Sequence, residues 1–149
     1  MTSRRTFLRS LDTAAVERAI ARAEAGTSGE IRISIAGFFV GSSRRLAERA
    51  FQRLGLHATR NRNGVLLLIA PARREVVVLG DEAIHAHVGD AFWTEIADRV
   101  STRFREGAFT QGVVEAVDAI GEALAHHFPC DEAGTNPNEL PDTLDVGDH

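Results

Sequence analysis

Asp81, Glu82 and Asp90 flank a glycine-bearing loop expected between Gly80 and Gly89, the first two just inside its start and the third just past its end. Carboxylates with loop carbonyls are the donors a hard cation such as Ca2+ or Mg2+ takes. The spacing is not that of an EF-hand. Each acid also has an ordinary use: Asp81 could cap a turn, Glu82 could be solvated, and Asp90 could cap the helix that holds Trp93. His85 and His87 stand two apart, so on extended chain they share a face and could ligate a transition metal, although no third ligand is evident. His126 and His127 near a helix end suit the terminal carbonyls and the helix dipole. No nucleophile constellation stands out: there is no Gly-x-Ser-x-Gly elbow and no phosphate loop ending in Lys. The glycines around Phe38, Phe39 and Val40 could offer N–H groups to an anion ahead of Arg44 and Arg45.

These residues must be positioned by a small set of elements. Asp12 reads as a helix N-cap, and Leu8, Leu11, Ala15, Ala19 and Ala23 follow helical spacing with Val16 and Ile20 beside them. Glu30 to Ile35 alternates polar and apolar residues, as a strand with one face on a core does. Arg44 to Leu54 forms a helix, and Val65 to Ala70 is apolar throughout, as a strand buried on both faces would be. Pro71 to Arg74 turns into a return strand, Glu75 to Leu79. Helices follow from about Asp90 to Arg105 and from Thr110, their cap, to Pro129. The order is helix, strand, helix, strand, strand, helix, helix. It predicts a single-domain α/β/α sandwich with a mixed central sheet over residues 8–129, and an acidic extended tail over residues 130–149.

A helix between the first two strands makes them parallel, and the tight turn makes the second and third antiparallel. Glu30, Asn63 and Asp81 therefore gather at one end of the sheet. In the loop after the first strand, Phe38 and Phe39 point opposite ways, so one could face solvent or a partner unless both pack as a satellite of the core.

A chain of 149 residues with 44% hydrophobic and 26% charged residues sets the frame of a soluble globular domain. Six acids fall after Pro129, leaving 15 acids against 17 bases, all Arg, in residues 1–129. That balance argues against a nucleic-acid surface. No apolar run approaches the ~20 residues of a membrane helix. The single Cys130 excludes an internal disulfide and fits a reducing cytosol. Ser3-Arg-Arg-Thr-Phe-Leu-Arg9 has the outline of a twin-arginine export motif. Asp12, Glu17, Arg18, Arg22 and Glu24 break up the apolar stretch such a signal needs, so a helix with a basic start is expected.

Thr27-Ser-Gly-Glu-Ile31, Arg62-Asn-Gly-Val-Leu66, Arg74-Glu-Val-Val-Val-Leu-Gly-Asp81, Ile84-His-Ala-His-Val-Gly-Asp90 with Phe92-Trp93, and Phe109-x-x-Gly112 together resemble the TPM-domain family. Asn138-Glu-Leu-Pro-Asp142 looks like the tail of small soluble bacterial members. The resemblance implies an α/β sandwich whose acidic cluster at one sheet end binds Ca2+ or Mg2+. It also brings in acid phosphatase activity, described for some plant members. Asp81 is the firmest match, with Glu30 and Asp90 next. Many relatives carry a signal peptide and a membrane anchor, patterns this sequence does not show, so a cytoplasmic location is expected. The expected function is a soluble domain that binds a divalent cation through Asp81, Glu30, Asp90 and Glu82 and acts mainly by contact with an unidentified protein. The alternative is a metal-assisted acid phosphatase acting on phosphate monoesters, with Arg62 or His85 offsetting developing charge and the catalytic residues unassigned. A scaffold without metal is the third reading.

Overall fold

The computed structural model describes residues 3–130 and Asp145. Nine regular elements follow one another: α1 (Arg4–Ser10), α2 (Thr13–Glu24), β1 (Glu30–Ile35), α3 (Ser43–Arg53), β2 (Gly64–Ala70), β3 (Glu75–Gly80), α4 (Glu82–Val88), α5 (Asp90–Arg105) and α6 (Phe109–His127). Short 3-10 turns cover Leu56–Ala58 and Pro71–Arg73.

Among the described residues the sheet has three strands in the order β1-β2-β3. β1 and β2 are parallel, with Glu30 opposite Gly64, and β2 and β3 are antiparallel, with Val65 opposite Gly80. The side-chain period of two then divides the sheet into faces. Ile31, Ile33, Ile35, Val65, Leu67, Ile69 and Val78 pack under α1, α2, α5 and α6. Leu66, Leu68 and Ala70 pack under α3 with Phe39, Leu46 and Phe51. This is the expected α/β/α sandwich with a mixed sheet.

Local expectations fared differently. Asp12 does cap a helix, its Oδ1 accepting from Ala15 N at 3.0 Å. A separate helix, α1, precedes it, capped by Ser3 and broken where Leu11 turns extended. The twin arginines lie in its first turn, and Phe7 anchors it in the core. β1 is buried at all six positions, not on one face. The loop expected between Gly80 and Gly89 is instead the helix α4 (Glu82–Val88), because Asp81 caps it and Ile84 buries its inner side. His85 and His87 therefore do not share a face, since residues two apart on a helix diverge. Thr110 lies inside α6; its hydroxyl instead accepts from Asp12 N at 3.0 Å and ties α2 to α6. The tail expected over residues 130–149 lies outside the described residues except for Cys130 and Asp145.

Candidate functional site

β3 delivers Asp81 to the sheet end where β1 and β2 begin, and Asp81 N donates to Gly64 O at 2.9 Å. The gathering expected of Glu30, Asn63 and Asp81 follows from this register. What each side chain does there is less uniform. Asp81 is an N-cap in extended backbone, its Oδ1 accepting from Glu82 N at 2.8 Å. Arg62 grips the same carboxylate with two donors, Nε to Oδ2 at 2.6 Å and Nη2 to Oδ1 at 2.9 Å. Its Nη1 stands 3.3 Å from Glu82 Oε1, and its carbonyl accepts from Ala83 N at 3.1 Å. Arg62 adopts a left-handed backbone (φ 50°) to do so. The hydrogen bond to Asp81 holds its guanidinium pKa above the ordinary value, with charge attraction to Asp81 and Glu82 adding to it against some desolvation.

Beside this pair Asn63 is buried, its Nδ2 donating to Ser28 Oγ at 3.1 Å. Its Oδ1 has no hydrogen-bond partner among the described residues.

Glu30 turns to other company. Arg32 reaches Glu30 Oε2 at 3.3 Å with Nη2 and Glu24 Oε2 at 3.0 Å with Nη1, all three side chains being buried. Glu24 Oε2 also accepts from Ile31 N at 2.7 Å, tying the end of α2 to β1. Sequence reasoning missed Glu24 and Arg32. Arg32 stands at a polar position of an alternating strand and Glu24 at the end of a helix, both places where a charge ordinarily faces solvent.

His85 accepts a hydrogen bond at Nδ1 from Trp93 Nε1 at 3.0 Å. In the neutral ring the proton then sits on Nε2, which faces Asp90 Oδ1 at 3.5 Å. Gly80 lies under the same indole: a Cβ there would stand 2.2 Å from Trp93 Cζ2. Asp90 itself is 91% exposed and starts α5 after Gly89. His87 stacks on His127 with centroids 4.3 Å apart, and His126 meets His127 edge-on.

A family model described as the TPM domain matches residues 1–123. The chain belongs to the TPM-domain family. BA42 protein from the psychrophilic bacterium Bizionia argentinensis, known by NMR, is similar to it: 33% identical over 91% of this chain and 92% of that one, with a TM-score of 0.81. The N-terminal domain of a P. gingivalis protein shares the fold at a TM-score of 0.62 and 21% identity, over 76% of each chain. A search of curated proteins gives no match.

As they are held, the acids named for a divalent cation are each engaged with another group. Both Asp81 oxygens already accept N–H groups, Glu30 faces Arg32, and Asp90 stands by His85. No cluster of three or more His, Cys, Asp or Glu suited to a metal occurs among the described residues.

Two further features set the surface of the TPM domain. The loop after β1 buries Phe39 but leaves Phe38 86% and Val40 80% exposed. Arg73 pins it, lying 3.7 Å over the Phe39 ring and donating to the carbonyls of Phe39 and Gly41. Along β1, Asp145 forms a parallel bridge with Ser34, exchanging backbone bonds with Ile33 O and Ile35 N. Its carboxylate takes Arg53 at 2.7 Å and Ser34 Oγ at 2.9 Å. Among the described residues no helix is long and apolar enough to cross a membrane.

Proposed function

We propose that this TPM domain acts mainly by binding another protein, and that the loop between β1 and α3 is the contact. The observation that carries this is the outward pair Phe38 and Val40 on a backbone clamped by Arg73. A backbone already fixed lowers the entropy lost on docking, and aromatic anchors supply much of an interface's energy. Arg44 and Arg45 lie exposed just beyond, which favours a partner with an apolar recess and an acidic rim. The test is affinity capture from the native host with the native domain and a Phe38→Ala/Val40→Ala variant of unchanged fold. The partner should be retained by the first and lost by the second. A partner held equally by both would overturn the reading.

Cation binding is a second property of the same domain in this proposal. Ca2+ or Mg2+ at Asp81 and Glu82 has to displace Arg62, whose side chain is 43% exposed and can swing away. Calcium titration followed by amide shifts tests it, and unmoved residues 80–90 would remove it. Phosphate-monoester hydrolysis, the rival reading, rests on family likeness. Turnover that survives Asp81→Ala would come from elsewhere.

A further inference from the structure

We propose that a cavity at the far end of the sheet from Asp81 binds an amphipathic monoanion, a carboxylate joined to an aryl or short alkyl body. The cavity encloses about 460 Å3 between α1, the hairpin turn after β2, the last turn of α5 and the start of α6. That volume falls in the range of small-molecule sites, roughly 300–1,000 Å3. Its floor is aromatic. Phe7, Phe104 and Phe109 all line it and contact one another with ring centroids 5.3–5.4 Å apart, Phe7 tilted against the other two and Phe104 edge-on to Phe109. Flat apolar matter packs well on such a surface.

The rim supplies the charge. Arg74 and Arg105 border the opening and are exposed, and neither guanidinium has a carboxylate partner among the described residues. Glu75 also borders it, with its carboxylate bonded by the Ser43 hydroxyl. Two cations against one anion leave a single positive charge beside an apolar floor, which suits one carboxylate on an apolar body.

Arg74 adds an independent observation. Its backbone is left-handed (φ 57°, ψ 40°), where glycine or asparagine is the usual occupant. A strained position that keeps at a cavity mouth a guanidinium with no carboxylate partner among the described residues points to use of that guanidinium.

The test uses 4-phenylbutyrate as probe and 4-phenylbutan-1-ol as its neutral match, titrated into the 15N-labelled full chain. The acid should shift amides of residues 69–75 and 101–109, and the alcohol should bind about tenfold more weakly, the worth of one charge-assisted hydrogen bond. Arg74→Gly suits the left-handed backbone and so keeps the fold. It should weaken the acid by a similar factor and leave the alcohol unchanged. Arg105→Gln should act in the same direction. Absence of shifts at the cavity, equal binding of acid and alcohol, or an Arg74→Gly variant with undiminished affinity for the acid would each overturn the proposal.

Discussion

Arg62 and Asp81 close a two-point ion pair across 19 residues of chain, with Nε to Oδ2 at 2.6 Å and Nη2 to Oδ1 at 2.9 Å. The pair joins the entry to β2 with the exit from β3. It also occupies the carboxylate that a cation would need.

Asp81 serves as cap and as anion, and the two roles separate by substitution. Asp81→Ala should cost about 1–2 kcal/mol in urea unfolding, because the α4 N-terminus loses its acceptor. Asp81→Asn keeps an acceptor and should cost less. Arg62→Ala should raise calcium affinity by releasing Asp81 and Glu82. An affinity that stays the same would mean that Arg62 does not compete with the ion.

Gly80 is required by Trp93. Gly80→Ala puts a methyl group where indole carbons stand 2.2–2.9 Å away. Overpacking of this kind costs about 1–3 kcal/mol. Gly80→Ala combined with Trp93→Phe should cost less than the two single changes added together. Strict additivity in thermal unfolding would exclude the clash.

Arg32 lies between two buried carboxylates. Arg32→Met leaves them facing apolar surface, so a loss of about 3–5 kcal/mol is expected. A loss under about 1 kcal/mol by chemical denaturation would show that water reaches the cluster.

Asp145 holds the outer edge of β1. Asp145→Ala removes the acceptor for Arg53 and Ser34, and hydrogen exchange at Ile35 N, which bonds Asp145 O, should speed up. Exchange at Val78, on the opposite edge strand, should not change. If Ile35 keeps its protection, the backbone bridge stands without the side chain.

His127 is held below the ordinary imidazole value, first by desolvation and then by repulsion from His87 and His126. A pKa lower in the folded state means the unfolded chain takes up the proton first. The contribution to stability is therefore full above about pH 6.5 and is lost as pH falls through that value to the folded one. His127→Gln should flatten the stability profile between about pH 7.5 and pH 5. A slope unchanged by that substitution would assign the effect to another group.

Much of this was legible in the chain. The apolar run Val65 to Ala70, the turn at Pro71 and the Glu75 to Leu79 strand specify a hairpin by local pattern alone. The helix between β1 and β2 makes those strands parallel. From these two relations Glu30, Asn63 and Asp81 had to share a sheet end. The helical nature of Glu82–Val88 was not legible, because a seven-residue helix offers barely two turns of periodicity among glycines and histidines. Nor was the full burial of β1, since Arg32 and Ser34 carry the polar side of an ordinary half-exposed strand until Glu24, Glu30 and Asp145 meet them.

The sequence by itself determined the order of the three strands and of every helix but α1 and α4, the faces of β2 and the end of the sheet to which the acids go. These depend on periodicities of two and 3.6 residues, which any stretch of chain carries within itself. Only the tertiary structure decided the partners: Arg62 for Asp81, Arg32 for Glu30, Arg73 for the loop that presents Phe38, and Arg53 for Asp145. A chain whose 17 basic residues are all arginine offers many equivalent donors. Hydrogen bonds select among them within a few tenths of an ångström. That selection is made by the packing of segments distant in sequence.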